Sequence, residues 1–199
     1  IVVPENAEQN LGLIQSWKKM WKGPCFSYEY HFWKEFFFEP AGTFGSKKIY
    51  NDLHGLEEIG IDGYVQDGTQ RAFFPNGLSV YTFAFCLFDR ALSYEQILED
   101  YMNHAYGGDW KKVYNYLEKI SDAFDFEYMN GEKSEDISRH KYYAPSRYER
   151  LKNISELTKQ ISDLECPECP TRAQRISYRL LELHAIYCAG LSDILAEKC

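Results

Sequence analysis

Apolar residues recur every three to four positions along most of this chain and alternate in only two short stretches, a pattern that predicts a mostly helical fold with a small strand component. In "ENAEQNLGLIQSWKKMWK" (5–22), Leu11, Ile14, Trp17 and Trp21 share a helical face, and Gly23-Pro24 stops the helix. "CFSYEYHFW" (25–33) alternates and is rich in aromatic residues, as strands are. A Gly/Pro-containing loop runs to Ser46, and "KKIYNDLHGLEEIG" (47–60) reads as a short helix with Ile49, Leu53, Leu56 and Ile59 on one face. Residues 61–66 form the second strand.

From Leu78 onward every periodic stretch is helical. "LSVYTFAFCLFDRAL" (78–92) is apolar on most sides, which predicts deep burial. "SYEQILEDYMNHAYG" (93–107) opens with Ser93 as N-cap and Gln96 in the capping-box position. "DWKKVYNYLEKISDAF" (109–124) follows with Asp109 as its cap, and 130–145 is a polar loop. "SRYERLKNISELTKQISDLE" and "TRAQRISYRLLELHAIYCAGLSDILAEK" read as a long antiparallel helical pair around a Cys-Pro-Glu-Cys turn. The pattern divides the chain near residue 77, into an α/β segment (1–77) and a helical region (78–199).

The order helix, strand, helix, strand, with connections too long for a hairpin, implies two parallel strands joined by a right-handed crossover. Two strands cannot bury both faces of a parallel sheet, so further strands are expected outside this chain. The first residue, Ile1, fits the same expectation that the chain is a piece of something longer.

Charge and composition narrow the partners. A net charge of −8 argues against nucleic acid, which needs a basic face, and gives no reason to expect docking on an anionic membrane. The longest apolar run, "VYTFAFCLF" (80–88), is far shorter than the ~20 residues that span a bilayer. Cys166 and Cys169 form at best half of a zinc site, so no metal or other cofactor is expected. Cys86 and Cys188 sit in apolar helical patterns and read as small core residues.

The aromatic strand "YEYHFW" (28–33), the crossover "IYNDLHGLEEIGIDGY" (49–64) and "GLSVYTFAFCLFDRALSYEQILEDYMNHAYG" (77–107) resemble a family of bacterial proteins, the domain of unknown function 4838. Within the last stretch the spacing from Asp89 through Ser93 and Leu98 to Asp100-Tyr101, followed by Tyr106-Gly107, matches the family's entry into its C-terminal helices. Members look like glycoside hydrolases on a (β/α)8 barrel, in the style of the family 20 hexosaminidases and the α-glucuronidases. The resemblance covers most of residues 20–125 and is a pattern of spacing rather than a catalytic motif. It implies the last strand–helix units of a barrel followed by a C-terminal helical region, a carbohydrate partner, and a periplasmic or extracellular location. Barrels of this style carry their acid/base carboxylates on a middle strand, which this chain lacks.

In such a barrel, side chains at the C-terminal ends of the strands face the ligand. Alternation puts Phe26, Tyr28, Tyr30 and Phe32 on one face, suited to packing against outer helices. Ser27, Glu29, His31 and Trp33 fall on the other, suited to a polar interior. Glu29 and His31 could bond sugar hydroxyls, and Trp33 could stack on a pyranose ring; alternatively Glu29 and His31 satisfy each other in a core. Tyr64 and Gln66 share a face of the second strand, with Asp67 and Arg71 in the loop above, where Asp67 is either a ligand group or a turn former. The substrate-binding set is therefore Glu29, His31, Trp33, Tyr64, Gln66, Asp67 and Arg71. Glu29 and Asp67 are the one carboxylate pair at adjacent strand ends, which hydrolysis would need to flank the scissile bond. Phe36, Phe37 and Phe38 suit a subsite wall, whereas Asp52, Glu57 and Glu58 read as a solvated helix face.

The function expected is that of a C-terminal fragment of a carbohydrate-active, glycoside-hydrolase-like enzyme. The fragment contributes part of a sugar cleft, is inactive alone, and self-associates through its strand edges. The alternative is a non-catalytic helical interaction or carbohydrate-binding module.

Overall fold

The computed structural model describes residues 4–33, 37–68, 74–164 and 169–199. The fold is mostly helical with one small parallel sheet. Helix α1 (Ala7–Met20) leads to strand β1 (Phe26–Glu29), helix α2 (Thr43–Glu58) and strand β2 (Gly63–Gln66). Then come α3 (Leu78–Phe88), α4 (Tyr94–Tyr106), α5 (Trp110–Phe124), the short α6 (Phe126–Asn130), α7 (Tyr148–Thr158) and α8 (Arg172–Ala196). The strands pair in parallel, Phe26 opposite Gly63 through Glu29 opposite Gln66. The two strands are thus parallel and joined through α2, as the chain order implied. Among the described residues the sheet has two strands.

Both strands are shorter than the alternation suggested. β1 stops at Glu29 because the chain turns at once, with the Trp33 N–H donating to the Tyr30 carbonyl at 3.0 Å. The turn swings Phe32 inward to 3% exposure while Tyr30 and Trp33 stay about half exposed, so alternation ends where the turn begins. α2 starts at Thr43, earlier than expected, because the stretch up to Ser46 carries local bonds that organise a helix start. The Ser46 hydroxyl donates to the Thr43 carbonyl at 2.8 Å, and the buried Glu39 carboxylate accepts from the Ala41 and Gly45 N–H groups, each at 3.3 Å.

Two apolar clusters hold the elements together. The larger joins α4 through α8 and includes Met102, Tyr106, Leu117, Ile120, Phe124, Leu151, Ile154 and Leu181, all at 2% exposure or less. Burying an aliphatic side chain of this size contributes ~1.5–3 kcal/mol. The smaller, Phe32, Ile49, Leu53, Cys86 and Ile97, fastens α2 and the β1 turn to α3 and α4. α3 is less buried than its composition predicts. Leu78, Ser79, Thr82 and Cys86 line its inner face, but Phe88 is 85% exposed and Leu87 is exposed too. Its apolar residues exceed what one contact face can cover.

The capping boxes at Ser93/Gln96 and Thr171/Gln174 are formed. Asp109 instead ends a 3-10 turn and makes no side-chain cap. α7 and α8 run antiparallel, as the ion pair from Lys152 near the start of one to Asp193 near the end of the other shows (3.2 Å). Cys166 lies outside the described residues; Cys169 sits just ahead of α8.

A buried polar tie links the helical region to the segment just before α2. His184, fully buried on α8, donates from Nε2 to the Pro40 carbonyl at 2.9 Å, with the Cys188 sulfur 3.1 Å from the same nitrogen. Its Nδ1 has no hydrogen-bond partner among the described residues, and burial lowers its pKa to about 4. No described helix is long and apolar enough to cross a membrane.

Candidate functional site

The sheet has a covered face and an open one. Residues paired in register project to the same side, so Ser27 goes with Tyr64 and Glu29 with Gln66, while Tyr28 goes with Val65. Tyr64 donates its hydroxyl to the Leu53 carbonyl of α2 at 2.8 Å, which places the Ser27, Glu29, Tyr64 and Gln66 side against the crossover helix. The other side is open: Phe26 is 70%, Tyr28 56% and Val65 48% exposed. The assignment of faces expected from alternation is therefore reversed. Within the strand Phe26 and Tyr28 lie on the open side and Ser27 and Glu29 face α2, whereas past the strand end Phe32 packs against helices and Trp33 is exposed.

On the covered side the polar side chains form a clasp. His31, 5% exposed, lies with Nδ1 3.0 Å from Gln66 Oε1 and Nε2 2.9 Å from Asp52 Oδ2. Gln66 Nε2 donates to the main-chain carbonyls of Glu29 and Asp67, each at 3.1 Å. Lys48 reaches the same Asp52 oxygen from one helical turn away, at 3.0 Å. Burial pushes the Asp52 carboxyl up, but the hydrogen bonds from His31 and Lys48 and the Lys48 charge outweigh it and leave its pKa lowered. Asp52 is thus a clasp residue and not part of a solvated face. Glu29 accepts from the Ser27 hydroxyl. Burial, then the nearby Glu29 charge, raises the Tyr64 phenol.

On the open side the aromatic rings form a ladder. Tyr28 and Tyr30 lie 5.2 Å apart between centroids, and Tyr30 and Trp33 lie 5.5 Å apart. Asp67, one residue beyond Gln66, lies near the Tyr28 hydroxyl, and its charge pushes that hydroxyl above the usual phenol range. The loop after β2 meets the turn after β1 at Gly68, whose φ is +85°. A Cβ there would lie 3.0 Å from both the Phe32 carbonyl oxygen and the Trp33 Cβ. Only glycine fits this close approach without strain.

The parallel pairing brings Glu29, His31, Trp33, Tyr64, Gln66 and Asp67 to one end of the sheet, but on two sides of it. Trp33 and Asp67 belong to the open ladder; His31, Gln66, Glu29 and Tyr64 stand behind it. Glu29 and Asp67 project to opposite faces, so they do not flank a common bond. Arg71 and Phe36 lie outside the described residues. Phe38 packs on the main core, with its ring 6.4 Å from Phe126, and is no subsite wall; Phe37 is 45% exposed.

Sequence reasoning missed Tyr28 and Tyr30 as surface groups and Asp52 and Lys48 as clasp residues. The i, i+4 spacing of Lys48 and Asp52 was a usable signal for the second pair. Among the described residues no group of His, Cys, Asp and Glu is arranged to hold a metal ion. No protein-family model, curated protein or solved structure matches this chain.

Proposed function

We propose that this chain is part of a carbohydrate-active, glycoside-hydrolase-like barrel protein and contributes one wall of its sugar-binding cleft. The observation that carries this reading is the exposed Tyr28–Tyr30–Trp33 ladder at the C-terminal end of two parallel strands, with the Asp67 carboxylate at its side. Parallel barrels bind ligands at that end. Aromatic rings in a row suit the apolar faces of successive pyranose units, and a carboxylate beside them accepts from sugar hydroxyls. The family resemblance of residues 20–125 points the same way. With Glu29 and Asp67 on opposite faces, the chain supplies binding and not the acid/base pair, which we place elsewhere in the barrel. A two-stranded parallel sheet with one open face also calls for further strands, which would come from the rest of such a barrel or from a second copy.

The second reading, a non-catalytic helical interaction module, has its own support in α1. That helix buries none of its residues; Leu13, Trp17 and Trp21 line a groove of about 540 Å³ with Phe26 and Ile61.

Calorimetric titration of the chain with neutral oligosaccharides, beside an assay on aryl glycosides, tests the proposal. Binding without turnover, lost in Trp33→Ala, is the expected result. Turnover by the pure chain that disappears in Glu29→Gln would overturn the division of roles.

A further inference from the structure

The clasp behind the ladder constrains the charge of His31. Gln66 Nε2 sits between two carbonyl oxygens, those of Glu29 and Asp67. Rotating the amide would set its oxygen against both, so the amide orientation is fixed by the main chain and Oε1 must face His31. One imidazole nitrogen therefore meets an amide oxygen and the other a carboxylate, and both partners are acceptors. Exchanging the two nitrogens by a ring flip changes nothing in this logic.

Three arrangements of protons are conceivable. A neutral ring with its proton toward Asp52 leaves a lone pair 3.0 Å from Gln66 Oε1. A neutral ring with its proton toward Gln66 needs a protonated Asp52, yet the Lys48 ammonium, 3.0 Å from the same Asp52 oxygen, favours the carboxylate. The imidazolium satisfies both contacts. Among the described residues, Lys48 and Asp52 face it from α2, and Glu29 lies on the same side of β1. Asp67 stands on the opposite face of the sheet, and Phe83 of α3 meets the neighbouring Phe32 without charge.

We propose that His31 is a doubly protonated imidazolium at neutral pH and acts as a proton-dependent clasp that sets the Tyr30–Trp33 turn, so that the aromatic ladder is assembled only while His31 is charged. The part concerning ligand binding rests on the ladder being the sugar face. Loss of the Nδ1 proton turns an attractive contact into a repulsive one. Relief requires either rotation of Gln66, which breaks two hydrogen bonds, or withdrawal of His31, which sits in the turn between Tyr30 and Trp33. His31 is a positioning residue here, since it acts on the ligand face through Tyr30 and Trp33.

The test is long-range proton–nitrogen NMR of the whole chain carrying 15N-histidine, from about pH 5 to 9. An ordinary histidine, with a pKa near 6.5, is mostly neutral at about pH 7.5. His31 is expected to show two protonated nitrogens there. When it does titrate, the Trp33 indole and Tyr30 ring signals should move with it. Sugar affinity should weaken about tenfold or more over the same interval, in proportion to the clasped fraction. His31→Gln, which keeps one donor and one acceptor, should make both signals and affinity independent of pH. A single neutral tautomer at about pH 7.5 overturns the proposal, as does a charged His31 whose titration leaves Trp33 and Tyr30 unmoved. If His31 behaves as expected and no sugar binds at any pH, the clasp stands and the carbohydrate reading fails.

Discussion

The hydroxyl of Tyr64 donates to the main-chain carbonyl of Leu53 at 2.8 Å, and this one bond identifies which side of the sheet is covered. Everything in register with Tyr64 is turned toward α2, and everything in register with Val65 is turned outward. Tyr64→Phe removes the bond and leaves a half-buried ring in place. The expected cost is ~1 kcal/mol in urea unfolding, with no loss of ligand affinity. A variant that unfolds as the native chain does but binds nothing would show that Tyr64 touches ligand.

At Gly68 the expected effect is larger and reaches the ladder. Its positive φ and the 3.0 Å approach to Phe32 and Trp33 leave no room for a methyl group. Gly68→Ala should cost ~1–2 kcal/mol, by strain and by pushing the two turns apart. Because Trp33 moves with its turn, its fluorescence should change in the folded variant. An unchanged stability and spectrum would contradict the close approach.

These two glycine and tyrosine positions show where the sequence was legible. The helical periods, the capping boxes at Ser93 and Thr171, the buried Cys86 and Cys188, and the parallel crossover all follow from local pattern, because spacing alone determines them. The sheet faces do not. Alternation tells that Ser27 and Glu29 differ in direction from Phe26 and Tyr28, but not which set meets α2. An aromatic-rich face is normally the packed one, and here tyrosines, whose hydroxyls tolerate water, occupy the open side. The role of Asp52 was hidden for a related reason. A carboxylate on a helix surface reads as solvated until a residue far along the chain, here His31, is folded against it.

Stability should fall in mild acid because of His184. Burial holds its pKa at about 4, whereas in the unfolded chain it titrates near 6.5. Between those values the unfolded state binds more protons, so stability is lost as pH falls, by roughly 3 kcal/mol in all. Glu39 acts in the opposite sense. Burial raises its pKa, so its contribution is present below the unfolded value and lost as pH rises through the folded one. His184→Leu separates the two. It should lose ~1–2 kcal/mol at neutral pH, because the Pro40 carbonyl is left unpaired, and flatten the acid limb. Parallel pH profiles for the native chain and His184→Leu would contradict this assignment.

Asp125 joins the end of α5 to α6. It adopts φ +58°, caps the N–H groups of Glu127 and Tyr128, and pairs with Arg147 at 2.8 Å. Its side chain has 17% exposure, so the pair is shielded from solvent more than a surface ion pair is. Asp125→Ala should cost ~2 kcal/mol, combining a lost cap with an unpaired Arg147, and Asp125→Asn about half of that. Thermal unfolding of the two variants checks the order; equal losses would mean that the ion pair, and not the cap, dominates.

The open aromatic ladder is the centre of the functional account, and residue-resolved NMR titration with a neutral oligosaccharide tests it most directly. The expected result is saturable shifts of the Trp33 indole, Tyr28, Tyr30 and Asp67 signals, little change at Ser27 and Tyr64 behind the sheet, and loss of the response in Trp33→Ala. Shifts confined to Trp17 and Trp21 in the α1 groove, or no shift at millimolar sugar, would contradict it.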